Sequence, residues 1–181
     1  MGKKRIMQKL RWLTIIDGNK RAKWLSRKKI LKGIGNNCLW QSRKFPMDPE
    51  CILIHDNVTI AADVTFVTHD AIRHVLMYKY NKRFPKKVGC IEVMDNVFIG
   101  IGSIIMPNVR INSNVVVAAG SVVTKDIPEN SVVAGVPARI IGNFDELVKK
   151  REYNSITNSS DCLEDKEKNN LWDDFYNTRS V

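Results

Sequence analysis

A large apolar residue returns every six positions through much of this chain of 181 residues. A period of six fits neither an α-helix, which repeats every 3.6 residues, nor a flat strand, which repeats every two. It is typical of a solenoid in which each hexapeptide forms one short side of a triangular coil. The positions that keep this period are Ile54, Ile60, Phe66, Val93, Ile99, Ile105, Ile111, Val117 and Val123.

Two other positions of the repeat also suit a narrow coil. Wherever the repeat continues, the residue four places after the leading one is small or β-branched, as a crowded interior requires. The residue just before it, where each side turns a corner, is always Gly, Asn, Asp or His, the types that best tolerate a positive φ. A pair of ordinary apolar strands, the alternative, explains neither property. The predicted corners are Asn57, Asp63, His69, Asn96, Gly102, Asn108, Asn114, Gly120 and Asp126.

The formal net charge of +10 is concentrated at one end of the chain. Residues 1–44 contain 14 of the 29 Lys and Arg residues and a single acid, Asp17, whereas the rest of the chain has a net charge of −3. The repeats therefore carry no basic stripe, and we expect no nucleic-acid partner.

Cysteine spacing and hydropathy bear on the compartment. The four cysteines show neither a C-x-x-C pair nor a disulfide spacing, which favours a reducing environment. No apolar run approaches the roughly 18 residues of a membrane span, and no signal-peptide pattern opens the chain. We therefore expect a cytoplasmic protein.

The sequence predicts three regions. Residues 1–33 form a basic helical arm, residues 34–142 form the solenoid with a loop extruded at 70–90, and residues 143–181 form a short helix and a loosely ordered tail. The loop is predicted because Phe66 and Val93 are 27 residues apart, which six does not divide. The arm has two interpretations. It closes the end of the solenoid, which we favour because its apolar residues suffice for that, or it lies on anionic lipid.

His69 is the candidate catalytic residue. It occupies a corner at the point where the first coils stop and the long loop begins, and long loops in compact domains are commonly functional. A histidine side chain ordinarily titrates near pH 6.5, which suits a general base near neutrality. The alternative is that His69 is only a corner-tolerant polar residue. Asp70 and Asp56 are both candidates to orient its second ring nitrogen.

The other histidines raise the question of a metal. His69 and His74 form an H-x4-H pair, and His55 would be the third ligand, but its position in the repeat differs and the three do not converge. We therefore expect no metal.

A second candidate site lies in the later repeats. The small residues 118–121 would let an extended ligand lie along the backbone, and Thr124, Lys125 and Arg139 suit contacts with phosphate. Interior crowding explains the small residues equally well.

Four segments of the repeats carry motifs of their own: Phe66–Asp70 (FVTHD), Val97–Ser103 (VFIGIGS), Ala118–Pro128 (AAGSVVTKDIP) and Val132–Ile141 (VVAGVPARII). A generic solenoid would not need TKDIP followed by GVPAR. On these segments, residues 54–141, about half of the chain, resemble the hexapeptide-repeat acyltransferases. They are most similar to the galactoside and maltose O-acetyltransferases and to related acetyltransferases of bacterial surface polysaccharides.

This resemblance implies an all-β fold, a left-handed parallel β-helix, and a homotrimer with active sites between neighbouring subunits. It also implies that His69 is the catalytic base. The chain departs from the family pattern at Ile101, where relatives usually have Ser, and at Gly142, where a second Arg often follows. The residues that the resemblance assigns to acetyl-CoA, with the backbone that we expect beside the thioester, are Gly100, Ile101, Ala119, Thr124, Lys125 and Arg139.

We therefore hypothesise an acetyl-CoA-dependent O-acetyltransferase that acts on a sugar hydroxyl, although a similar base would also serve an amine. Tyr78, Tyr80 and Arg83 of the loop suit contacts with a sugar, or are simply solvated. Two alternatives belong to other classes. One is a non-catalytic solenoid that docks a partner or a membrane through its basic arm, and the other is a trimeric zinc hydratase.

Overall fold

The computed structural model of the chain describes residues 3–155, 171–173, 175, 176 and 179. The described residues divide into two compact units, one up to Glu146 and one from Leu147 onward. None of the described helices combines the length and the apolar character that crossing a bilayer requires. The helices are α1 (Lys3–Thr14), α2 (Gly18–Arg27), α3 (Ile72–Tyr80) and α4 (Phe144–Ser155).

Short strands build three sheets. In chain order they are β1 (Gly33–Ile34), β2 (Leu39–Trp40), β3 (Ile52–Ile54), β4 (Val58–Ile60), β5 (Thr65–Phe66), β6 (Ile91–Val93), β7 (Val97–Ile99), β8 (Ile104–Ile105), β9 (Val109–Ile111), β10 (Val115–Val117), β11 (Val122–Val123), β12 (Ser131–Ala134) and β13 (Arg139–Asn143).

The chain visits the three sheets in rotation. The first sheet has the order β1-β3-β6-β9, the second β13-β12-β10-β7-β4-β2, and the third β11-β8-β5. Every pairing is parallel except β12 with β13. Ile91 of β6 pairs with Val109 of β9, so one circuit of the three sheets uses three hexapeptides. This rotation is the physical origin of the six-residue period.

The interior of the coils is filled by the residues that the period predicts. All nine leading residues, and every residue four places after one where the repeat continues, are at most 6% exposed. Ser103 and Ser121 are the polar members of this set, and both donate their hydroxyl to the carbonyl of Ala118. The predicted assignment of inward positions is therefore confirmed.

Seven of the nine predicted corners have a positive φ, and His69 and Asp126 are the two that do not. Asparagine side chains at three regular corners also bond to one another from coil to coil. Asn57 Nδ2 donates to Asn96 Oδ1, and Asn96 Nδ2 donates to Asn114 Oδ1, both at 3.0 Å. The corner residues thus supply the backbone bend and a ladder of amides along one edge.

The arm closes the end of the coils, as the favoured interpretation predicted. Helix α2 packs on β2 and β1, and Trp12, Trp24 and Leu25 are buried against the first coil. The Trp12 indole N–H donates to the carbonyl of Arg43 at 2.8 Å. Asp17 caps α2 by accepting a hydrogen bond from the Lys20 N–H at 2.8 Å.

Three segments differ from or fall outside the sequence-based expectations. The extruded loop contains a helix, α3, where an irregular segment was expected. The solenoid predicted for residues 34–142 ends in an antiparallel pair of strands, β12 and β13, and not in a further parallel coil. The expected loosely ordered tail covers residues 154–181, of which 156–170 lie outside the described residues, while residues 171–173 and 175–176 are helical.

The cysteines that the structure describes are free thiols. Cys38 is buried, Cys51 is partly exposed and Cys90 is exposed. Cys162 lies outside the described residues.

Candidate active site

His69 stands where the chain leaves the coils and where it returns. It follows β5 in the third sheet, and it forms an isolated antiparallel bridge with Val88 at the far end of the loop. The Gly89 N–H donates to the carbonyl of Thr68 at 2.8 Å. These contacts keep His69 out of the positive-φ turn of the regular corners. The two ends of the loop therefore fix the backbone beneath the imidazole.

The side chain that orients His69 is Asp48. His69 Nδ1 lies 2.5 Å from Asp48 Oδ2. Both candidates from the sequence were wrong, because each carboxylate holds a backbone N–H elsewhere. Asp70 accepts from Ile72 and Asp56 accepts from Asn36.

Asp48 lies in a segment that the repeat does not cover. It precedes the short 3-10 turn Pro49–Cys51 and has a φ of 35°. Its carboxylate also lies within hydrogen-bond distance of the Thr68 hydroxyl (3.0 Å) and of Lys86 Nζ (3.3 Å). Thr68 is fully buried. Neighbours from the coils and from the loop thus converge on one carboxylate.

These contacts keep Asp48 ionised. Burial opposes its ionisation, but the hydrogen bonds from Thr68, His69 and Lys86 outweigh burial and lower the pKa of Asp48 below its ordinary value. An ionised carboxylate can only accept a hydrogen bond, so in a neutral His69 ring the proton resides on Nδ1. Nε2 then carries the lone pair, and the side chain, 29% exposed, reaches solvent. This is the arrangement that a general base requires.

The other two histidines have different surroundings. His55 Nε2 lies 3.1 Å from Glu92 Oε1 on the outer face of the first sheet, and Arg110 bonds to the same carboxylate. These contacts lower the pKa of Glu92, with the His55 hydrogen bond as the largest cause. His74 lies exposed on α3. Within the described ranges, no group of three His, Cys, Asp or Glu residues is arranged to hold a metal ion.

Four of the six predicted donor-binding residues meet at one corner of the coils. The turn at Gly100 and Ile101 follows β7, and the turn at Ala119 follows β10 in the coil above. The Gly120 N–H donates to the carbonyl of Ile101 at 2.8 Å, which joins the two turns. Arg139 lies on the same side of the coils, because it pairs with Ala134 of β12, and β12 stacks on β10, the strand that precedes the Ala119 turn. We call this group the donor corner; its members are Gly100, Ile101, Ala119 and Arg139.

Gly100 permits the close approach of the two turns at the donor corner. A Cβ at this buried position would lie only 2.5 Å from the backbone nitrogen of Ala119, so any larger residue would push the coils apart. The Gly100 N–H is engaged with the carbonyl of Val117. Among the described residues, no hydrogen bond uses the N–H of Ile101, and that residue is 53% exposed.

Thr124 and Lys125 lie at a different corner, the one that contains His69. They follow β11 and are exposed, and β11, β8 and β5 are stacked in the third sheet. Two strand spacings, about 10 Å, therefore separate their level from that of His69. From Ala119 to Thr124 the extended chain spans at most about 17 Å. Within one chain, His69 and the donor corner thus lie at opposite ends of the strands of the third sheet. They are not brought together.

The loop places aromatic side chains in solvent near His69 in the sequence. Tyr78 is 84% exposed and Tyr80 is 53% exposed, and both lie on α3. The Tyr80 ring packs against Phe84 with ring centroids 6.1 Å apart. Arg83 is exposed between them in the chain. The side chains of Tyr78, Tyr80 and Arg83 are therefore accessible to a ligand from solvent.

Comparison with known proteins finds a family match within the coils and relatives that align with most of the chain. Residues 91–125 match the family described as "Bacterial transferase hexapeptide (six repeats)". Protein CapG of Staphylococcus aureus is 39% identical in an alignment 148 residues long. The alignment covers 72% of this chain and 84% of CapG. Galactoside O-acetyltransferase of Escherichia coli (strain K12) is 40% identical in an alignment 122 residues long. The alignment covers 64% of this chain and 56% of that enzyme.

Solved structures give the same family. A galactoside acetyltransferase in complex with coenzyme A superposes with a TM-score of 0.59 at 28% identity, covering 78% of this chain and 79% of that one. A hexapeptide-repeat acetyltransferase from Vibrio cholerae O1 biovar eltor, complexed with acetyl coenzyme A, has a TM-score of 0.56 at 28% identity and covers 75% of this chain and 82% of its own.

Proposed function

This chain belongs to the hexapeptide-repeat transferase family, in its acetyltransferase branch, and from that premise we propose that it moves an acetyl group from acetyl-CoA to a hydroxyl of a sugar or a surface-polysaccharide precursor. The observation that carries the proposal is the contact of His69 Nδ1 with Asp48 at the mouth of the extruded loop. It leaves Nε2 available for the proton of an acceptor.

In the proposed reaction the acceptor hydroxyl attacks the thioester directly. Its oxygen bonds to the carbonyl carbon while its proton passes to His69 Nε2. The tetrahedral intermediate then collapses, the carbon–sulfur bond breaks, and the departing thiolate recovers the proton from the imidazolium. Asp48 stabilises that imidazolium and holds the ring in the required tautomer, as a carboxylate does for other histidine bases. It is a positioning residue, because it does not touch the reacting atoms.

We assign the donor to the residues that the family pattern matches. The carbonyl oxygen of the thioester becomes negative in the intermediate and requires an N–H donor. The N–H of Ile101 fits this role better than that of Gly100, which bonds within the coils. Lys125 and Arg139 supply positive charge for the phosphates of CoA. Ala119, at the donor corner, and Thr124, at the corner that contains His69, are assigned to the donor because they match the family pattern.

A single copy of the chain does not bring the donor corner to His69, and this supports a homotrimer. We propose that the coils form a left-handed β-helix, as the family resemblance implies, and that three such prisms associate side by side. The His69 corner of one subunit then faces the donor corner of its neighbour. Each of the three active sites would contain residues from two copies, so a monomer would be inactive.

The acceptor is proposed to be a sugar for two reasons. The relatives include galactoside O-acetyltransferases, and the loop that begins directly after His69 exposes Tyr78, Tyr80 and Arg83 to solvent. Aromatic faces stack on sugar rings, and the guanidinium binds hydroxyl groups. A panel of sugars and nucleotide sugars, assayed by release of the CoA thiol, would identify the acceptor.

The test of the proposal is His69→Ala, measured by acetyl transfer to the best acceptor from that panel. A positioned base typically contributes 10²–10⁴-fold, so we expect kcat to fall by about that factor while acetyl-CoA still binds. His74→Ala is the matched control, because this exposed histidine lies in the same loop and should leave kcat unchanged. Near-normal turnover of the His69 variant would contradict the assignment.

A further inference from the structure

We propose that the outer face of the helical arm binds an anionic phospholipid surface, so that the enzyme acts while attached to the membrane interface. The proposal is independent of the proposed chemistry. It rests on the apolar residues of the arm that closing the coils does not use, and on the positive charges around them. We call these apolar residues the outer stripe; they are Ile6, Met7, Leu10, Leu13 and Ile16.

Closing the coils accounts for only one face of α1. Trp12 is 1% exposed and contacts Trp24, Trp40 and Phe45 through its ring. Its neighbours on either side, Arg11 and Leu13, are both exposed. The capping role that the sequence favoured therefore needs one large side chain from this helix. It does not explain why apolar residues also occupy the opposite face.

The outer stripe is open to solvent from Ile6 to Ile16, which lies just beyond the end of α1. Its residues are between 45% exposed, at Ile6, and 78% exposed, at Ile16. Ile6, Leu10 and Leu13 follow the spacing that places side chains on one face of a helix. A continuous apolar face of this kind is uncommon on a monomer surface and typically marks a contact.

A cationic cleft adjoins the outer stripe. It has a volume of about 740 Å³ and lies between α1 and α2, with Ile15, Ile16 and Trp24 in its wall. Asp17 also lines it, but that carboxylate is engaged as the cap of α2. The basic residues of the wall are Arg11, Lys20, Lys23 and Arg27.

The net charge of the arm indicates which partner would bind the outer stripe. Residues 1–44 have a net charge of +13, so a second copy of the arm would be repelled. A membrane rich in anionic lipid supplies acyl chains for the stripe and phosphate groups for the cleft at the same time. Amphipathic helices with basic and apolar faces bind such surfaces in this way, and each Lys or Arg near the surface adds to the affinity.

The test is flotation of the full chain with vesicles of phosphatidylcholine and phosphatidylglycerol (7:3), compared with vesicles of phosphatidylcholine alone. We expect binding to the anionic vesicles that weakens with added salt, and little binding to the neutral ones. Absence of binding to the anionic vesicles at low salt would overturn the proposal.

Two double variants separate the stripe from the cleft. We expect Leu10→Gln with Leu13→Gln, and separately Lys23→Glu with Arg27→Glu, to weaken vesicle binding at least about tenfold. All four residues are exposed, so thermal unfolding should change little. Ile72→Gln with Val75→Gln is the matched control, since these apolar residues of α3 are 59% and 66% exposed and should not affect binding.

Other occupants give distinguishable results. If the stripe variant binds vesicles like the unmodified chain but changes its oligomeric state in sedimentation, the stripe is a contact between copies and the proposal is wrong. If inorganic phosphate raises the unfolding temperature while vesicles do not bind, the cleft is a site for a free anion and the proposal is also wrong.

Discussion

The corners at Asn96 and His69 occupy the same position of the six-residue repeat, but different parts of the chain hold them. Asn96 has a φ of 58° and bonds to Asn57 and Asn114, its counterparts in neighbouring coils. His69 instead contacts Asp48, in a segment without the repeat, and its neighbour Thr68 bonds to the far end of the loop. Contacts between equivalent positions stabilise the stack. Contacts to segments outside the repeat orient the side chain that we assign to catalysis.

The largest effect that sharpens this comparison is expected from Asp48→Asn. An amide keeps the shape of the side chain and tolerates the positive φ, but it cannot stabilise a positively charged imidazole. We expect kcat to fall by about 10²-fold with little change in the KM for acetyl-CoA. Asp95→Asn is the control, because that carboxylate accepts the N–H of Asp56 within the repeat. If kcat fell by the same factor in both variants, the contacts outside the repeat would have no special role in catalysis.

Asp48 also gives a prediction for pH. Its pKa is lowered in the folded chain, so its contacts stabilise the fold at pH values above the ordinary range near 4 and lose this effect as the pH falls through the folded value. The stability lost in Asp48→Asn should therefore be greatest near neutral pH and shrink in acid. Urea unfolding of both proteins at several pH values measures this. A deficit that grew in acid would contradict the assigned direction.

At the regular corner, Asn96→Ala should affect stability and leave the chemistry intact. It removes two amide contacts and places alanine, which adopts a positive φ less readily than asparagine, at a φ of 58°. Together these cost about 1–3 kcal/mol of unfolding free energy. Asn96→Gly, which tolerates the bend, should lose less. Urea unfolding gives the stabilities, and a fall in kcat would show that this corner also belongs to the site.

The smallest effect is expected from Lys86→Met. The Lys86 ammonium lies 3.3 Å from Asp48 but is 39% exposed, so solvent screens it. The Lys86 hydrogen bond is one of the contacts that lower the pKa of Asp48. In Lys86→Met the pKa of Asp48 should therefore rise toward its ordinary value, which an NMR titration of the carboxylate would measure. Lys87→Met, the neighbouring lysine, should not move it; an equal shift in both variants would mean a general effect of loop charge.

The sequence predicts contacts between equivalent positions of the six-residue repeat. It does not predict contacts with segments that lie outside the repeat. The inward residues, seven of the nine corners and the site of the extruded loop follow from counting by six, because each coil repeats the packing of the last. Thr68 and His69 could be placed by the same count. Asp48 could not, because Pro46 and Pro49 interrupt the repeat and leave its position relative to the coils undefined.

The donor corner shows the same limit in a different form. The motifs indicated its residues, and the structure gathers Gly100, Ile101, Ala119 and Arg139 at one corner. His69 lies at another corner because of the order in which the chain visits the three sheets. No single motif indicates that order. The proposed trimer, the left-handed coil and the cytoplasmic location stay predictions.

Both exposed ends of the second sheet are closed by elements that do not continue the coil. Helix α2 covers β2 at one end, and at the other β13 runs antiparallel to β12. Bare parallel edges would offer unpaired backbone groups to the edge of another molecule, and a stack of identical rungs has no intrinsic length. These two closures therefore oppose end-to-end polymerisation through the second sheet, and they limit the number of rungs that this sheet contains.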